Sequence, residues 1–406
     1  MAVCSRRSSS TREHKVPTLQ IDLPTADGSL EGYRLSGTPL EVRKPAGPFN
    51  RVAFSAAHVV ADPLSGNEPS AAAAIDWEAT LAYRRYLLDQ GLGIAEAMDT
   101  AQRGMGLGWP EAHELIRHTL EDTSDMADAL VFSGCGTDQL EADDARCVDD
   151  VLRAYHVQLE AIQKLGGRII LMASRALARV ATSPGDYIEV YSEILEAAEQ
   201  PVILHWLGEM FDPALEGYWG SSDFEQDMQT CLDVIRSNVA KVDGIKISLL
   251  DKDKEIQMRR LLPDGVKMYT GDDFNYPELI GGDEQGFSHA LLGIFDAIAP
   301  AASQALAALA QGDQQRFHGL LGPTVPLSRL IFRAPTQYYK TGVVFLAWLN
   351  GHQQHFVMVG GAQAMRPLTY FAELFRLADQ AGLLHDPTLA VARMRSLLSL
   401  YGIDGK

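Results

Sequence analysis

The chain has no cysteine pattern. Its four cysteines, Cys4, Cys135, Cys147 and Cys231, are scattered without a C-x-x-C pair. This argues against a disulfide framework and a thiolate zinc site, and fits a reducing, cytoplasmic setting. Positive charge is also short: the formal net charge is −18. No Lys/Arg cluster supplies the basic face that a phosphate backbone requires, so nucleic acid is not expected as the main partner. No apolar run reaches the length of a membrane span, so no membrane partner is expected. Arg6-Arg7 is not followed by an apolar segment, so neither a secretory nor a twin-arginine signal is credible, and residues 1–16 are expected to form a disordered tail. A glycine-rich dinucleotide fingerprint is missing after the first strand of the main domain, which weakens a Rossmann reading.

What remains is an ordinary globular composition, 46% hydrophobic and 22% charged over 406 residues, long enough for one large domain with an appendage. Residues 17–47 are short alternating stretches broken by Ala26-Asp-Gly28, Ser36-Gly-Thr-Pro39 and Pro45-Ala-Gly-Pro48, the pattern of a small β-hairpin extension. From residue 48 a strand-then-helix unit recurs. Strands are expected at Arg51–Ala57, Gly93–Met98, Ala129–Phe132, Arg168–Met172, Val202–His205, Gly244–Ile247, Val266–Tyr269 and, eighth, Gly286–Ser288, with amphipathic helices between them. Eight βα units over residues 48–300 favour a (β/α)₈ TIM barrel. Residues 301–406 show helical spacing rich in Ala and Leu and are expected to form a C-terminal helical region.

In such a barrel the chemistry sits at the C-terminal ends of the strands. Those positions carry His58, Asp99-Thr100, Cys135 with Asp138, Ser174, His205 with Glu209, Lys246, Asp272-Asp273 and Ser288-His289. Lys246 stands out. A lysine in an apolar strand has no evident structural task, and nucleophilic use of its amine requires a site that depresses its pKa, which apolar surroundings do. Snorkelling to solvent is the structural alternative. His352-Gln-Gln-His355 has i,i+3 spacing but is expected to be a solvated loop.

Three stretches, Pro201-Val-Ile-Leu-His-Trp206, Gly244-Ile-Lys246 and Tyr269-Thr-Gly-Asp-Asp273, followed by Gly286-Phe-Ser288 and Ala299-Pro300, resemble in order and spacing the dihydrodipicolinate synthase / N-acetylneuraminate lyase family. The similarity runs from about Ile75-Asp76 to Gly312-Asp313. It implies a barrel with C-terminal helices, usually a homo-oligomer, in which the lysine of the sixth strand forms a Schiff base with a small-molecule keto substrate and no cofactor is needed. Lys246 matches that lysine, and Gly271-Asp272-Asp273 matches the family's turn. The chain departs from the family in two places. His205 stands where the family commonly has a proton-relaying tyrosine; histidine can serve as acid or base near neutral pH. Met98-Asp-Thr-Ala-Gln-Arg103 stands where the family holds the substrate carboxylate on a Gly-Thr-Thr-Gly-Glu segment. Thr100 survives, but Asp99 repels a carboxylate unless it is protonated or paired with Arg103.

The resemblance therefore implies a lyase, an aldolase or dehydratase acting on a 2-oxo acid or keto-sugar-derived substrate. Lys246 and His205 are its catalytic residues, and Asp99, Thr100, Asp272, Asp273 and Ser288 line its pocket. Two alternatives stay open: a divalent-metal barrel enzyme with His58, Asp99, His205 and Glu209 as ligands, and a non-catalytic ligand-binding barrel.

Overall fold

Short apolar runs bounded by turn residues fold here as parallel strands, because a strand buried on both faces has no need of polar alternation. The computed structural model describes residues 19–69 and 71–403; the expected disordered tail, 1–16, lies outside the described residues. An antiparallel hairpin comes first, β1 (Gln20–Pro24) and β2 (Leu30–Arg34). Eight parallel strands then close into a barrel: β3 (Ala53–Ala56), β4 (Gly93–Glu96), β5 (Val131–Cys135), β6 (Arg168–Leu171), β7 (Val202–Leu207), β8 (Val242–Ser248), β9 (Lys267–Thr270) and β10 (His289–Leu292), with β10 pairing back onto β3. The fold is the expected TIM barrel with an N-terminal β extension and C-terminal helices.

One strand is displaced from expectation. The eighth runs from His289 to Leu292, so Gly286–Ser288 precede it, Gly286 bridging back to Asp283. Ser288 and His289 therefore stand at the entry of the strand and not at its C-terminal end.

The helices that follow the strands show why the chain breaks where it does. Helix α1 (Trp77–Asp89) opens on Asp76, whose carboxylate accepts from Ala79 N at 3.0 Å. After α2 (Trp109–Asp122), α3 (Val148–Lys164) and α4 (Arg175–Val180), helix α5 (Pro184–Ala197) starts with a Ser183/Asp186 capping box. Such caps satisfy first-turn amides and commonly contribute about 1 kcal/mol each. Then come α6 (Phe224–Ser237), α7 (Lys252–Arg259), α8 (Tyr276–Gly281) and α9 (Ile294–Ala297). The C-terminal helices are α10 (Ala299–Ala310), α11 (Gln314–Leu321), α12 (Val325–Ile331), α13 (Tyr339–Leu349), α14 (Leu368–Gln380) and α15 (Pro387–Leu400). They share one apolar core with β3, β10 and the hairpin, and Tyr33 of β2 donates to Asp379 of α14 at 2.7 Å. Among the described residues, no helix is long and apolar enough to cross a membrane.

The barrel's lower interior is plugged. Phe54, Phe132, Ile170, Ile203, Tyr269 and Leu291 fill it, with Phe54 edge-on to Phe132 at 5.2 Å. Access to the strand ends is therefore from the C-terminal side alone, as in other barrels of this kind.

Candidate active site

Alternation along β8 decides which side chains enter the barrel. Gly244, Lys246 and Ser248 share one face, while Ile245 and Ile247 pack outward into the helix layer. The two glycines of the sequence motifs allow close approach between β8 and the residues packed on it. A Cβ on Gly244 would come within 2.7 Å of the Tyr269 ring, and one on Gly271 within 2.8 Å of Lys246 Cε. Gly271 thus leaves room for the stem of Lys246, while Gly244 lets β9 approach β8 closely at Lys267 and Tyr269.

Lys246 is buried, 7% exposed. Burial pushes its pKa down from the usual lysine range, while Asp273 and Asp99 act in the opposite direction. In the β7/β8 ladder His205 is its register partner. His205 is 1% exposed; its Nε2 lies 3.2 Å from Ser248 Oγ, and its Nδ1 is buried with no partner. Burial, and secondarily the charge of Lys246, hold the imidazole well below its ordinary pKa. The expectation of a histidine titrating near neutral pH is corrected accordingly: the ring is neutral, with one nitrogen turned to Ser248 and the other free.

Asp99 and Thr100 follow β4 in a short 3₁₀ turn. Ala97, just before them, has φ of 52°, a left-handed conformation that strains a residue with a Cβ by about 1–3 kcal/mol. The turn is held from below: Glu96 receives Ala97 N at 2.8 Å and is paired bidentately with the fully buried Arg84 at 2.9 Å. Arg103 does not pair with Asp99. Its guanidinium clasps Asp138 at 2.6 and 3.0 Å and reaches the Ala97 and Gly134 carbonyls. Asp99 is thus left without the arginine that would offset its charge.

Asp273 is buried, with Oδ1 accepting from Ile294 N at 2.8 Å; burial raises its carboxyl pKa to about 7. Its neighbour Asp272 is committed to its own turn, accepting from Phe274 N, Asn275 N and Asn275 Nδ2. Ser288 is also committed elsewhere, donating to the buried Glu255 at 2.6 Å next to Arg259. It leaves the pocket-lining set because the strand it was expected to end begins after it.

The remaining sequence candidates divide in the same way. Buried His58 turns to Asp296 of α9, with Nδ1 2.8 Å from Oδ2 and its backbone N donating to the same carboxylate. Glu209 is exposed beyond β7. The set His58, Asp99, His205 and Glu209 is therefore not gathered, and among the described residues no three His, Cys, Asp or Glu side chains are placed to hold a metal ion. Cys135 is buried, its thiol pushed up to about 12; Ser174 caps α4 through Leu177 N. His352 is packed on Tyr83 and Tyr86, ring centroids 4.9 and 4.4 Å away, and so does not lie in a solvated loop.

Two residues of the C-terminal helices had not been expected here. Tyr339, the first residue of α13, has its hydroxyl 2.8 Å from Thr100 Oγ1 and its ring stacked on Phe332 at 4.4 Å. Lys340 is 5% exposed and reaches Met105 Sδ at 3.1 Å. The available signal was a single charge in the otherwise uncharged stretch Tyr339–Leu349.

Above the strand ends opens a cavity of about 640 Å³, lined among others by His205, Asp99, Arg103, Asp138, Arg175 and Asp212. It has room for a metabolite-sized ligand.

A family described as Protein of unknown function (DUF993) matches residues 21–403. The chain belongs to that family. No curated protein matches this DUF993 sequence. Among solved structures, the DUF993 barrel is similar to YagE, a prophage protein belonging to the dihydrodipicolinic acid synthase family from E. coli K12 in complex with pyruvate. That match has a TM-score of 0.63 and 15% identity, covering 82% of this chain and 99% of that one. It is similar also to the chloride-inhibited dihydrodipicolinate synthase from Acinetobacter baumannii complexed with pyruvate (0.59, 18%, 82% and 99%) and to dihydrodipicolinate synthase from Aquifex aeolicus (0.56, 12%, 88% and 99%). At these identities the likeness establishes the fold.

Proposed function

We propose that this DUF993 chain is a Schiff-base lyase, an aldolase or dehydratase acting on a 2-oxo acid or keto-sugar-derived substrate through Lys246. The observation that carries this reading is the buried Lys246 with its register partner His205, whose Nδ1 is buried without a hydrogen-bond partner. The neutral amine of Lys246 adds to the carbonyl carbon, water leaves, and an iminium forms. The iminium then accepts the electron pair released when the adjacent carbon loses a proton or its bond to the next carbon breaks. Water finally hydrolyses the imine and returns the free lysine. This electron sink needs neither metal nor organic cofactor.

His205, already neutral, takes the proton at Nδ1 while Nε2 faces Ser248. Asp273 sits near Lys246 as the carboxyl that responds to its charge. Asp99 faces the cavity as an acceptor suited to substrate hydroxyls, and Tyr339 fixes Thr100 beside it. The similarity in fold to pyruvate-bound barrels supports the same reading.

Proton exchange tests it. Incubating the protein in deuterium oxide with pyruvate, hydroxypyruvate or dihydroxyacetone and following the α-protons by NMR should show catalysed exchange, absent in Lys246→Met. Absence of exchange with every ketone, together with activity that a chelator abolishes and one divalent ion restores, would instead establish the metal-enzyme reading.

A further inference from the structure

Lys340 is the one buried lysine besides Lys246 among the described residues. Its ammonium has no carboxylate within ion-pair distance there; its contacts are Met105 Sδ at 3.1 Å and the Tyr339 ring, centroid 5.1 Å away. Neither is a counter-ion. Holding an ammonium out of water without one is unfavourable, and an anionic ligand would supply the missing partner.

A second cation adjoins it. Arg175, the first residue of α4, donates to Asp212 Oδ2 through Nε at 2.5 Å. Its two terminal nitrogens point at Gly104, 3.8 Å from where a Cβ would stand there. Arg175, Gly104 and Asp212 line the cavity. Lys340 and Arg175 thus flank the same Gly104-Met105-Gly106 turn: Lys340 is brought down to about 8 by burial first, with Asp99 and Asp212 opposing that shift and Arg175 reinforcing it. Gly104 and Gly106 have φ of 70° and 115°, which glycine adopts without the strain a side chain would bring.

We infer that Lys340 and the free edge of Arg175 form an oxyanion subsite that receives the carboxylate or phosphate of the keto substrate. This deepens, and rests on, the Schiff-base reading. It also bears on Asp99: a substrate anion placed on the 3₁₀ turn would meet a carboxylate directly, whereas at Gly104 the cavity wall carries Arg175, with Lys340 behind it on Met105. The subsite suits a single anionic group. Beyond it the rim carries Glu111, Asp138, Glu141 and Asp143, which disfavour a second one.

The test uses three ketones that differ in charge: dihydroxyacetone, hydroxypyruvate and dihydroxyacetone phosphate. Each is titrated in the presence of borohydride, and the Lys246 adduct is measured by mass spectrometry. In the native protein at least one of the two anionic ketones should reach half-saturation at a concentration ten-fold or more below the neutral one; which of them does so separates carboxylate from phosphate. Lys340→Met and Arg175→Gln should each bring that ratio below about three, whereas Arg179→Gln, at the exposed partner of Asp143, should keep it.

Thermal melting with acetate and with inorganic phosphate reads the subsite without any imine. The preferred anion should raise the melting temperature of the native protein and not that of Lys340→Met. If no ketone traps Lys246 yet this anion shift persists, the subsite stands and the imine reading falls. Equal half-saturation for charged and neutral ketones, or a preference and an anion shift that survive both Lys340→Met and Arg175→Gln, would overturn the subsite.

Discussion

His205 and Lys246 are register partners on the neighbouring parallel strands β7 and β8, both buried, with Ser248 Oγ 3.2 Å from the imidazole. The pair consists of two groups that burial drives toward their neutral forms. A neutral amine is a nucleophile and a neutral imidazole is a proton acceptor, so one physical cause prepares both roles.

Removing the acceptor should separate them. His205→Asn is expected to lower turnover by roughly 10²–10⁴-fold, the usual contribution of a positioned acid or base, while Lys246 still forms a reducible adduct. Steady-state rates and intact-protein mass on the same preparation check this.

The charge around the amine should set the pH at which it reacts. Asp273 acts to raise the pKa of Lys246, so Asp273→Asn removes an anion and the amine becomes neutral at lower pH. The midpoint of adduct formation against pH should move down. An upward or absent movement would mean that Asp273 does not act on the lysine.

Gly271 is expected to tolerate no side chain. The Cβ of Gly271→Ala would lie within 2.6 Å of the Ile247 carbonyl oxygen, still closer to Ser248 Oγ, and 2.8 Å from Lys246 Cε, and crowding of this kind typically destabilises by about 1–3 kcal/mol. Adduct formation should fall as well, because the Lys246 stem and Ser248, the neighbour of His205, are among the atoms that must shift.

Thr100 and Tyr339 bridge the barrel and α13 through one buried hydrogen bond. Thr100→Val and Tyr339→Phe should each lower stability by about 1 kcal/mol. A double-mutant cycle by urea unfolding should give a coupling of roughly 0.5 kcal/mol or more. Additive losses would mean that the two hydroxyls do not share a bond.

Acid stability follows from the buried imidazoles. Burial lowers the pKa of His352 to about 3 and that of His289 to about 4, against an ordinary value of 6.5. The unfolded chain therefore binds protons below pH 6.5 that the folded chain refuses. Stability is fully present above 6.5 and is lost as pH falls toward 4 and 3. His352→Gln should reduce the slope of unfolding free energy in this window by at most about one proton, or about 1.4 kcal/mol per pH unit; urea unfolding at several pH values measures it.

The barrel was legible in sequence because seven of its strands are short apolar islands between turn residues. The eighth was not, because His289-Ala-Leu-Leu292 is separated from the apolar Ile294-Phe295 by Gly293 alone and the alanine-rich α10 follows closely. The glycine-marked turn before it drew the boundary three residues too early and carried Ser288 to the wrong end of the strand. Lys246, His205, Asp99 and Thr100 could be located because strand ends are local features. The orientation of His58 toward Asp296, 238 residues away, is not local, and neither is the arrival of Tyr339 and Lys340 from a helix whose sequence reads as packing.

The proposed reaction passes through one covalent bond. Borohydride reduction in the presence of pyruvate, hydroxypyruvate and dihydroxyacetone phosphate, followed by peptide mass spectrometry, should place a reduced ketone adduct on Lys246 and none on Lys340. An unmodified Lys246 with every ketone, or an active Lys246→Met variant, would contradict the account.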